Sequence, residues 1–269
     1  MLSTNNILKL SDGKPVVSPT QDMVIGCYYL TIEKQGAKGE GRYFMDTEEA
    51  IMAYETKQIE LQAKIHVRIF KDIDGKKISR LITTTVGRII FNNAIPQDLG
   101  FVTRDSIDSL FEYEINFLVT KKGLQDIVYR TFKQKGASET SKVLDKIKDL
   151  GFKYSTIGAV TASVFDMHIP EKKKEYIGQA EEAVIKKEKE FDRGMITSEE
   201  KSKHIIDIWN NTTDKVTEDL MKGLDEFNPI YMMANSGARG NKNQIRQLCG
   251  MRGLMTNPNG KIIETPVRS

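Results

Sequence analysis

Two stretches in the first third of the chain have residue patterns that are typical of strands. In residues 63–70, Ala-Lys-Ile-His-Val-Arg-Ile-Phe, alternate positions are apolar, and residues 81–91 are rich in β-branched side chains. A period of two is typical of a strand that is buried on one face. Asp74-Gly75 lies between the two stretches and favours a tight hairpin turn. The pattern therefore predicts two antiparallel strands within residues 61–95.

Other stretches have the period of about 3.6 residues that amphipathic helices show. An acidic run predicts a helix over about residues 47–56, with Asp46 or Thr47 as its N-cap. Three further helices are predicted over residues 111–118, 123–135 and 138–150, the last of which ends at Gly151. The sequence therefore predicts an α+β protein whose first part contains the strands and whose second part is mostly helical.

Residues 170–223 predict a pair of antiparallel helices. Pro170 suits the first position of a helix, because the backbone N–H that proline lacks is not needed there. A break at residues 192–196 precedes a second helix, whose start is marked by the capping-box pair Thr197 and Glu200. The first helix is dense in Glu, Lys and Ala, so we expect the hairpin to project into solvent.

Composition limits the class of protein. The chain has 269 residues, of which 39% are hydrophobic and 29% charged, and its net charge is +3 at pH 7. This charge is too small to indicate nucleic-acid binding by bulk electrostatics. Cys27 and Cys249 lie far apart without a partner motif, which favours a reduced, intracellular compartment. No apolar run reaches the roughly twenty residues of a membrane-spanning helix, so we expect a soluble, cytoplasmic protein.

The segment from Ser236 to Met255 carries the densest candidate chemistry. It contains four glycines and three arginines but no carboxylate. Glycines allow a backbone to approach a ligand closely, and arginines without acidic neighbours are free to bind phosphates. A short helix predicted over residues 243–248 places Ser236 and the glycines near a helix N-terminus, which attracts anions. The segment therefore predicts a contact with phosphate or nucleic acid.

The same segment resembles a known family. Its string Ser-Gly-Ala-Arg-Gly, followed by Ile-Arg-Gln-Leu-Cys-Gly-Met-Arg-Gly-Leu-Met, is similar to the loop before the bridge helix in the largest catalytic subunit (β′) of bacterial DNA-directed RNA polymerase. Further stretches resemble the family in the same order, namely residues 1–8, 18–31, 84–88, 92–96, 144–145, 147–154, 169–173, 206–209 and 230–233. The resemblance therefore covers essentially the whole chain.

The resemblance implies an organisation into three parts. Residues 1–150 are similar to the family's pore-type domain, and residues 151–235 to its funnel domain, in which the hairpin at about 170–223 forms the rim of the secondary channel. Residues 236–269 form the Gly/Arg-rich loop leading towards the bridge helix. The family's catalytic motif, Asn-Ala-Asp-Phe-Asp-Gly-Asp, does not occur in the chain. We therefore expect an internal piece of a larger subunit that is inactive alone.

The resemblance also implies a role in DNA-templated RNA synthesis. A piece of this kind lines the secondary channel, through which NTPs reach the catalytic centre and at which regulatory factors dock. The Mg²⁺ of the intact enzyme is then bound by residues outside the chain. The implied partners are the β, α and ω subunits, the DNA template, RNA, NTPs and secondary-channel transcription factors, and no membrane is implied.

Arg239 is similar to the family's arginine that contacts the triphosphate of the incoming nucleotide. The alternative is an arginine that caps a helix or pairs with a distant acid. Further loop contacts are expected from Met232, Gln244, Arg246 and Arg252, although a cluster of methionines is usually core filler. Arg246 lies one turn from Lys242 and either forms a basic face with it or makes a salt bridge to the following helix of the intact enzyme.

The hairpin supplies the expected docking residues for regulatory factors. These are Asp192, Arg193, Glu200, Lys203 and His204, and the alternative is an ordinary solvated helix surface. Asp72 and Asp74 form the nearest acidic pair, but a hairpin turn explains them better than a metal site. No histidine has a Cys or His companion at ligand spacing, so no metal site is predicted.

Two other classes of function stay open. The first alternative is a scaffold that only binds transcription factors, and the solvated hairpin favours it. The second alternative is a general RNA-binding module. The sequence lacks the interleaved aromatic and basic residues of a stacking platform, which counts against the second idea.

Overall fold

The computed structural model describes residues 6–11, 13–73 and 76–268. They form two compact units. Unit 1 contains the chain up to Val160 together with the short segment Asn235–Arg239, and unit 2 contains Thr161–Ala234 and the chain from Gly240 onward. The boundaries implied by the resemblance lie after residues 150 and 235.

A buried helix, α1 (Asp22–Thr31), runs through the core of unit 1. Val24, Cys27 and Leu30 are all fully buried. A helix that is enclosed on nearly every side has no polar face and therefore no amphipathic period. For this reason the hydrophobic pattern does not predict α1.

The next helix, α2 (Thr47–Glu55), confirms the prediction for residues 47–56. Asp46 is its N-cap, and the Oδ1 atom of Asp46 accepts a hydrogen bond from the backbone N–H of Glu49 at 2.7 Å. Glu49 in turn accepts from the backbone N–H of Met45 at 2.6 Å. Asp46, and not Thr47, therefore caps the helix.

The described residues contain one three-stranded sheet, in the order β1–β2–β3. The long strands β2 (Lys64–Ile73) and β3 (Lys76–Thr85) run antiparallel, as predicted. The short strand β1 (Tyr43–Phe44) runs parallel to β2 along its other edge. The predicted Asp74-Gly75 turn lies outside the described residues.

The strand predicted over residues 81–91 is wrong in its second half, because the chain continues there as helix α3 (Val86–Ala94). Thr85 caps this helix, and its hydroxyl accepts from the backbone N–H of Arg88 at 3.2 Å. The Arg88 guanidinium turns inward and donates to Glu33 at 3.3 Å. The cap and this partly buried contact outweigh the strand preference of the β-branched residues.

A long helix, α4 (Lys121–Gly158), takes the place of two predicted helices. A kink at Gly136 (φ 78°, ψ −177°) separates its two halves, close to the predicted break. The predicted end at Gly151 is wrong, because Gly151 lies inside the helix against α1. A Cβ at Gly151 would lie 2.6 Å from the Cα of Met23. Gly151 therefore permits a close helix contact and does not end the helix.

The helix predicted over residues 111–118 is also wrong. A single 3-10 turn, Ser109–Phe111, forms at its start. Asn92 then accepts from the backbone N–H of Ile115 at 3.1 Å and donates to the backbone C=O of Ile115 at 2.7 Å. These bonds satisfy backbone groups that a helix would pair internally.

Unit 2 is built from helices. The helices α5 (Lys173–Asp192) and α6 (Ser198–Gly223) pack side by side as the predicted hairpin. Two shorter helices follow, α7 (Pro229–Ser236) and α8 (Lys242–Cys249), and the second confirms the helix predicted over residues 243–248. The last two residues of α7 belong to the segment that lies in unit 1.

The ends of the hairpin helices test two further predictions. The capping box is confirmed, since Glu200 accepts from the backbone N–H of Thr197 at 2.8 Å and the Thr197 hydroxyl accepts from that of Glu200 at 3.3 Å. The start of α5 differs, because the helix begins at Lys173 and not at Pro170. The carbonyl of Pro170 accepts from the N–H of Lys173 at 3.1 Å, which closes a tighter turn before the helix.

The predicted α+β class is confirmed, since helix makes up 52% of the structure and the strands form one small sheet. Among the residues that the structure describes, no helix combines the length and the apolar composition needed to span a lipid bilayer.

Candidate functional site

The Gly/Arg-rich loop connects α7 to α8. Gly237 and Gly240 have φ angles of 75° and 78°, in the left-handed region that other residues rarely adopt. Asn241 then caps α8, and its Oδ1 atom accepts from the backbone N–H of Gln244 at 2.8 Å. The two glycines therefore fix sharp changes of direction on either side of Arg239.

The segment Asn235–Arg239 is anchored within unit 1. The Asn235 amide donates to the hydroxyl of Tyr28 on α1 at 3.1 Å. Ser236 is fully buried, and its hydroxyl accepts from the backbone N–H of Ala238 at 3.2 Å. The side chain of Ala238 packs against the core of unit 1. The backbone that leads to Arg239 is therefore held by a polar contact, a buried hydroxyl and an apolar contact.

Arg239 itself is exposed. Its guanidinium makes no hydrogen bond and no ion pair with any residue that the structure describes. The sequence has no Asp or Glu between Glu226 and Glu264, so acidic competitors are absent from the neighbouring chain. An anchored backbone with an unpaired guanidinium provides a fork of N–H donors for an oxyanion.

The other predicted loop residues lie in unit 2, whereas Arg239 lies in unit 1. Met232 is a core position, with 5% of its surface exposed. The Gln244 carbonyl accepts from the backbone N–H of Asn241 at 3.1 Å, so this side chain completes the cap of α8. Arg252 is exposed and follows the fully buried Met251. Arg239 is therefore described within unit 1, and the four other predicted contacts are described within unit 2.

Arg246 has an unusual environment on α8. Its Nε atom is buried and has no hydrogen-bond partner among the described residues. Ile245 beside it is buried, and Lys242 one turn earlier is exposed. A buried N–H without an acceptor is costly, so Arg246 is a position at which an external acceptor would be favourable.

The last residue of α8, Cys249, is buried in unit 2. Burial raises the pKa of its thiol. The thiolate is the nucleophilic form of cysteine, so this residue is poorly suited to nucleophilic chemistry.

The predicted docking residues lie around the turn of the helical hairpin. Asp192, Arg193, Lys203 and His204 are all exposed. Glu200 is also exposed. Hydrogen bonds from Thr197 lower the pKa of the Glu200 carboxyl group, and the bond from the backbone N–H has a larger effect than the bond from the hydroxyl. The carboxylate of Glu200 is therefore engaged in capping α6.

The described residues offer no place for the Mg²⁺ that the resemblance implies for the intact enzyme. Across residues 6–11, 13–73 and 76–268, no group of three or more His, Cys, Asp or Glu side chains lies close enough together to hold a metal ion. Asp72 is exposed at the end of β2, and Asp74 lies outside the described residues. The described part of the chain therefore does not fit a magnesium site.

Comparison with known proteins identifies the family. The family model described as RNA polymerase Rpb1, domain 3, matches residues 6–167, which is more than half of the chain. The chain belongs to the RNA polymerase Rpb1 family. The model for RNA polymerase Rpb1, domain 4, matches residues 196–269. The candidate loop and α6 therefore lie in the second matched region of this Rpb1-family chain.

Curated relatives of this Rpb1-family chain are similar along its whole length. It is 58% identical to the DNA-directed RNA polymerase subunit beta′ of Thermoanaerobacter pseudethanolicus and 57% identical to that of Caldanaerobacter subterraneus. Identity to the corresponding subunit of Clostridium kluyveri is 55%. Each match covers 100% of this chain and 23% of the relative. The chain therefore spans less than a quarter of the length of these relatives.

The contacts that anchor the loop are missed by reasoning from the sequence. Asn235 and Tyr28, which hydrogen-bond to each other, are 207 residues apart. No local pattern links two positions at such a separation, although the buried Ser236 is the first residue of the Gly/Arg-rich segment. The pattern thus indicates the exposed cation and leaves out the contacts that hold it.

Proposed function

We propose that this chain is the pore and funnel part of a β′-type subunit of DNA-directed RNA polymerase, and that Arg239 contacts the triphosphate of the incoming NTP. The observation that carries the proposal is the unpaired Arg239 guanidinium on an anchored backbone. Membership of the Rpb1 family and the names of the curated relatives support it. The same proposal includes the β, α and ω subunits, template DNA and RNA as partners in the bacterial cytoplasm.

The physical basis of the proposal is the positioning of charge. Phosphoryl transfer depends mainly on holding the reacting groups in place and on stabilising charge, with little covalent work for the protein. An arginine presents a planar fork that suits two oxygens of one phosphate. Neighbouring Gly237 and Gly240 lack side chains that would crowd a bound phosphate. The role of this chain is therefore to position the nucleotide, and the chain alone is expected to incorporate none.

The test is kinetic and uses a polymerase whose β′ subunit carries this 269-residue segment. Loss of one charge-assisted interaction costs about 1.5–3 kcal/mol, which corresponds to about ten- to a hundredfold in affinity. Arg239→Ala should raise the apparent KM for NTP by this factor, and kcat should fall as well if the contact tightens in the transition state. Arg239→Lys should restore part of the loss, because an ammonium lacks the fork.

Lys146→Ala provides the matched control, since Lys146 is an exposed cation of unit 1 on α4. It should leave the apparent KM for NTP unchanged. Hydrolytic cleavage of RNA, which needs no NTP, should respond much less to Arg239→Ala than elongation does. Equal damage to elongation and cleavage with an unchanged KM would show that Arg239 is only a structural residue of the loop.

The helical hairpin supports a second role, the docking of regulatory proteins at the secondary channel. Ala180 is the buried residue of α5, whose remaining surface is solvated or half-buried. At the turn, the apolar Met195 is 68% exposed next to Arg193, with Lys203 and His204 exposed on α6. Exposed apolar and charged groups on a projecting hairpin suit a protein partner.

Substitutions at the turn test the docking role. Lys203→Ala and His204→Ala should weaken the response of the same polymerase to a secondary-channel factor while elongation without the factor is unchanged. Lys174→Ala serves as the control, because Lys174 is an exposed cation near the start of α5, away from the turn, and it should leave the factor response unchanged. A factor response that survives Lys203→Ala combined with His204→Ala would remove the hairpin from the proposal. The chain would then keep only its loop function, and the scaffold alternative would lose its main support.

A further inference from the structure

The outer face of the three-stranded sheet in unit 1 carries aromatic and basic side chains side by side. Along β2, His66, Arg68 and Phe70 alternate with the fully buried Ile65 and Val67. Successive side chains of a strand point to opposite faces. His66, Arg68 and Phe70 therefore share the face that is turned away from the core.

Two rings on this face already form a stack. The parallel register of β1 and β2 places Tyr43 directly beside His66, with ring centroids 4.7 Å apart and an angle of 23° between the ring planes. Thr83 lies directly opposite His66 on β3, and its hydroxyl hydrogen-bonds with His66 Nδ1 at 3.0 Å. Tyr43 remains 69% exposed. The pair is thus ordered in advance, and Tyr43 presents most of its surface to solvent.

The face continues along β2 with a cation between aromatic groups. Arg68 is exposed and makes no ion pair with the described residues. Phe70 is 51% exposed and lies about 13 Å along the strand from His66, given a rise of about 3.3 Å per residue. This spacing leaves room for one stacked base near each end and for a phosphate near Arg68 between them.

The charge of the face is predominantly positive. Lys64, Arg68 and Lys77 occupy outward positions of β2 and β3, against the single carboxylate of Asp72. Lys64 also lies 3.2 Å from Glu33, so part of its charge is neutralised within the chain. Arg68 is therefore the strongest candidate for a contact with an anion.

We propose that this outer face binds single-stranded nucleic acid. We call it the sheet platform and define it by Tyr43, Lys64, His66, Arg68 and Phe70. Bases stack on Tyr43 and on Phe70, and Arg68 and Lys64 contact the phosphates. Exposed aromatic residues interleaved with cations on a sheet are the means by which single strands are bound with little sequence preference. The platform is separate from Arg239, and its test does not depend on the loop.

The arrangement favours a nucleic acid over a protein segment. A protein interface usually has an apolar centre with charged residues at its rim. Here the cation Arg68 lies at the middle of the face, between the Tyr43–His66 stack and Phe70. Leu81, which is 49% exposed, lies directly opposite it on β3 and is the apolar neighbour of this central cation. The sequence hides this pattern, because Tyr43 reaches its position only through the pairing of β1 with β2. The pairing of strands in the sheet thus places aromatic and basic side chains side by side, although they are not adjacent in the sequence.

The test is a binding titration of the 269-residue chain, followed by fluorescence anisotropy. The probes are a short labelled oligouridylate and a DNA duplex of the same length. The single strand should bind more tightly than the duplex. Tyr43→Ala and Phe70→Ala should each weaken binding by about 5- to 150-fold, which is the effect of one lost stacked base of about 1–3 kcal/mol. Arg68→Ala should lower the slope of log K against log salt by about 0.7, the value for one phosphate contact.

Matched controls separate the sheet platform from other exposed rings and cations. Tyr129→Ala and Phe152→Ala remove rings on α4 that are 42% and 47% exposed. They should leave binding unchanged, as should Arg239→Ala. Tyr43→Phe keeps the ring and should bind as the wild type does. Circular dichroism shows whether each variant keeps the fold, and all the substituted side chains are exposed.

Three results would overturn the proposal. One is a wild-type dissociation constant for the single strand that is weaker than about 0.1 mM, the weak end of non-specific binding. Another is a loss of affinity in Tyr129→Ala or Phe152→Ala that equals the loss in Tyr43→Ala or Phe70→Ala, or a loss of affinity that occurs only in Arg239→Ala. The third is protection of β2 and β3 from hydrogen exchange in the assembled polymerase without any RNA binding by the chain. That result would assign the face to a protein partner.

Discussion

Gly151→Ala tests the close contact between α1 and α4 on which the core of unit 1 depends. A Cβ at Gly151 would lie 2.6 Å from the Cα and 2.7 Å from the carbonyl O of Met23. Carbon atoms in contact are about 3.5–4.0 Å apart, so the two helices would have to separate by about 1 Å. The atoms in the way are backbone atoms of a helix and cannot move aside alone.

The magnitude follows from two opposing contributions. Overpacking of a core costs about 1–3 kcal/mol, and the rigid backbone of Met23 favours the upper end of that range. Alanine is better than glycine inside a helix by about 1 kcal/mol. Gly151→Ala should therefore lower the free energy of unfolding by about 2 kcal/mol. For a chain of this size the Tm should fall by about 4–8 °C.

Gly123→Ala is the matched control, because it makes the same substitution in the same helix. A Cβ at Gly123 would have its nearest neighbour 3.9 Å away, at Val119. Gly123→Ala should therefore be neutral or stabilise unit 1 by up to about 1 kcal/mol. The assays are urea titration followed by circular dichroism and hydrogen exchange of the α1 amides. If both variants shifted stability in the same direction by similar amounts, the contact would be looser than described.

Three further substitutions or modifications test other buried groups. Arg246→Met removes the buried Nε that lacks an acceptor. The free energy of unfolding should stay unchanged or rise by about 1–3 kcal/mol. A clear fall in this free energy in a urea titration would show that Arg246 has a partner. Glu114→Ala leaves Arg104 without the carboxylate that lies 3.0 Å away. Breaking a buried ion pair costs about 3–5 kcal/mol, and the lower end of this range is expected because the Arg104 side chain is 23% exposed. A loss of unfolding free energy under about 1 kcal/mol in the same titration would contradict the ion pair. Cys27 is fully buried, and burial raises the pKa of its thiol to about 12. The thiol should therefore resist iodoacetamide at neutral pH and react only on unfolding. Rapid labelling of Cys27 in the native chain, seen by mass spectrometry, would refute its burial.

The helix ends that depend on local signals could be predicted from the sequence. Asp46 caps α2, and Thr197 and Glu200 form the capping box of α6, because these contacts involve residues three positions apart. The register of β2 and β3, with Ile73 opposite Lys76, follows from residues close together in the sequence in the same way. Short-range chemistry determines such features.

The errors arise where distant residues decide the local structure. Gly151 reads as a helix end, yet its close approach to Met23 in α1 keeps it inside α4. The residues around Ile115 read as a helix, yet their backbone bonds to Asn92 of α3. The buried helix α1 has no polar face to reveal it. No pattern along the chain contains these contacts.

Some features of the candidate site could likewise be predicted from the sequence, and others depend on contacts between distant residues. Arg239 is indicated by its sequence string, and its exposure agrees with a residue that meets a ligand. The contact of Asn235 with Tyr28 becomes visible only in the folded chain. Gln244, a predicted loop contact, completes the cap of α8 through its side-chain carbonyl. Sequence resemblance thus indicates which side chain carries the charge, and packing explains why its backbone is fixed.

The central claim is that Arg239 meets the triphosphate of the incoming nucleotide. A photoreactive group attached to the γ-phosphate of an NTP tests it most directly in a stalled polymerase whose β′ subunit carries this segment. The claim predicts a crosslink, mapped by mass spectrometry, to residues 235–240, competed by unmodified NTP and lost in Arg239→Ala. A crosslink that never falls in residues 235–240, or one that persists undiminished in Arg239→Ala, would contradict it.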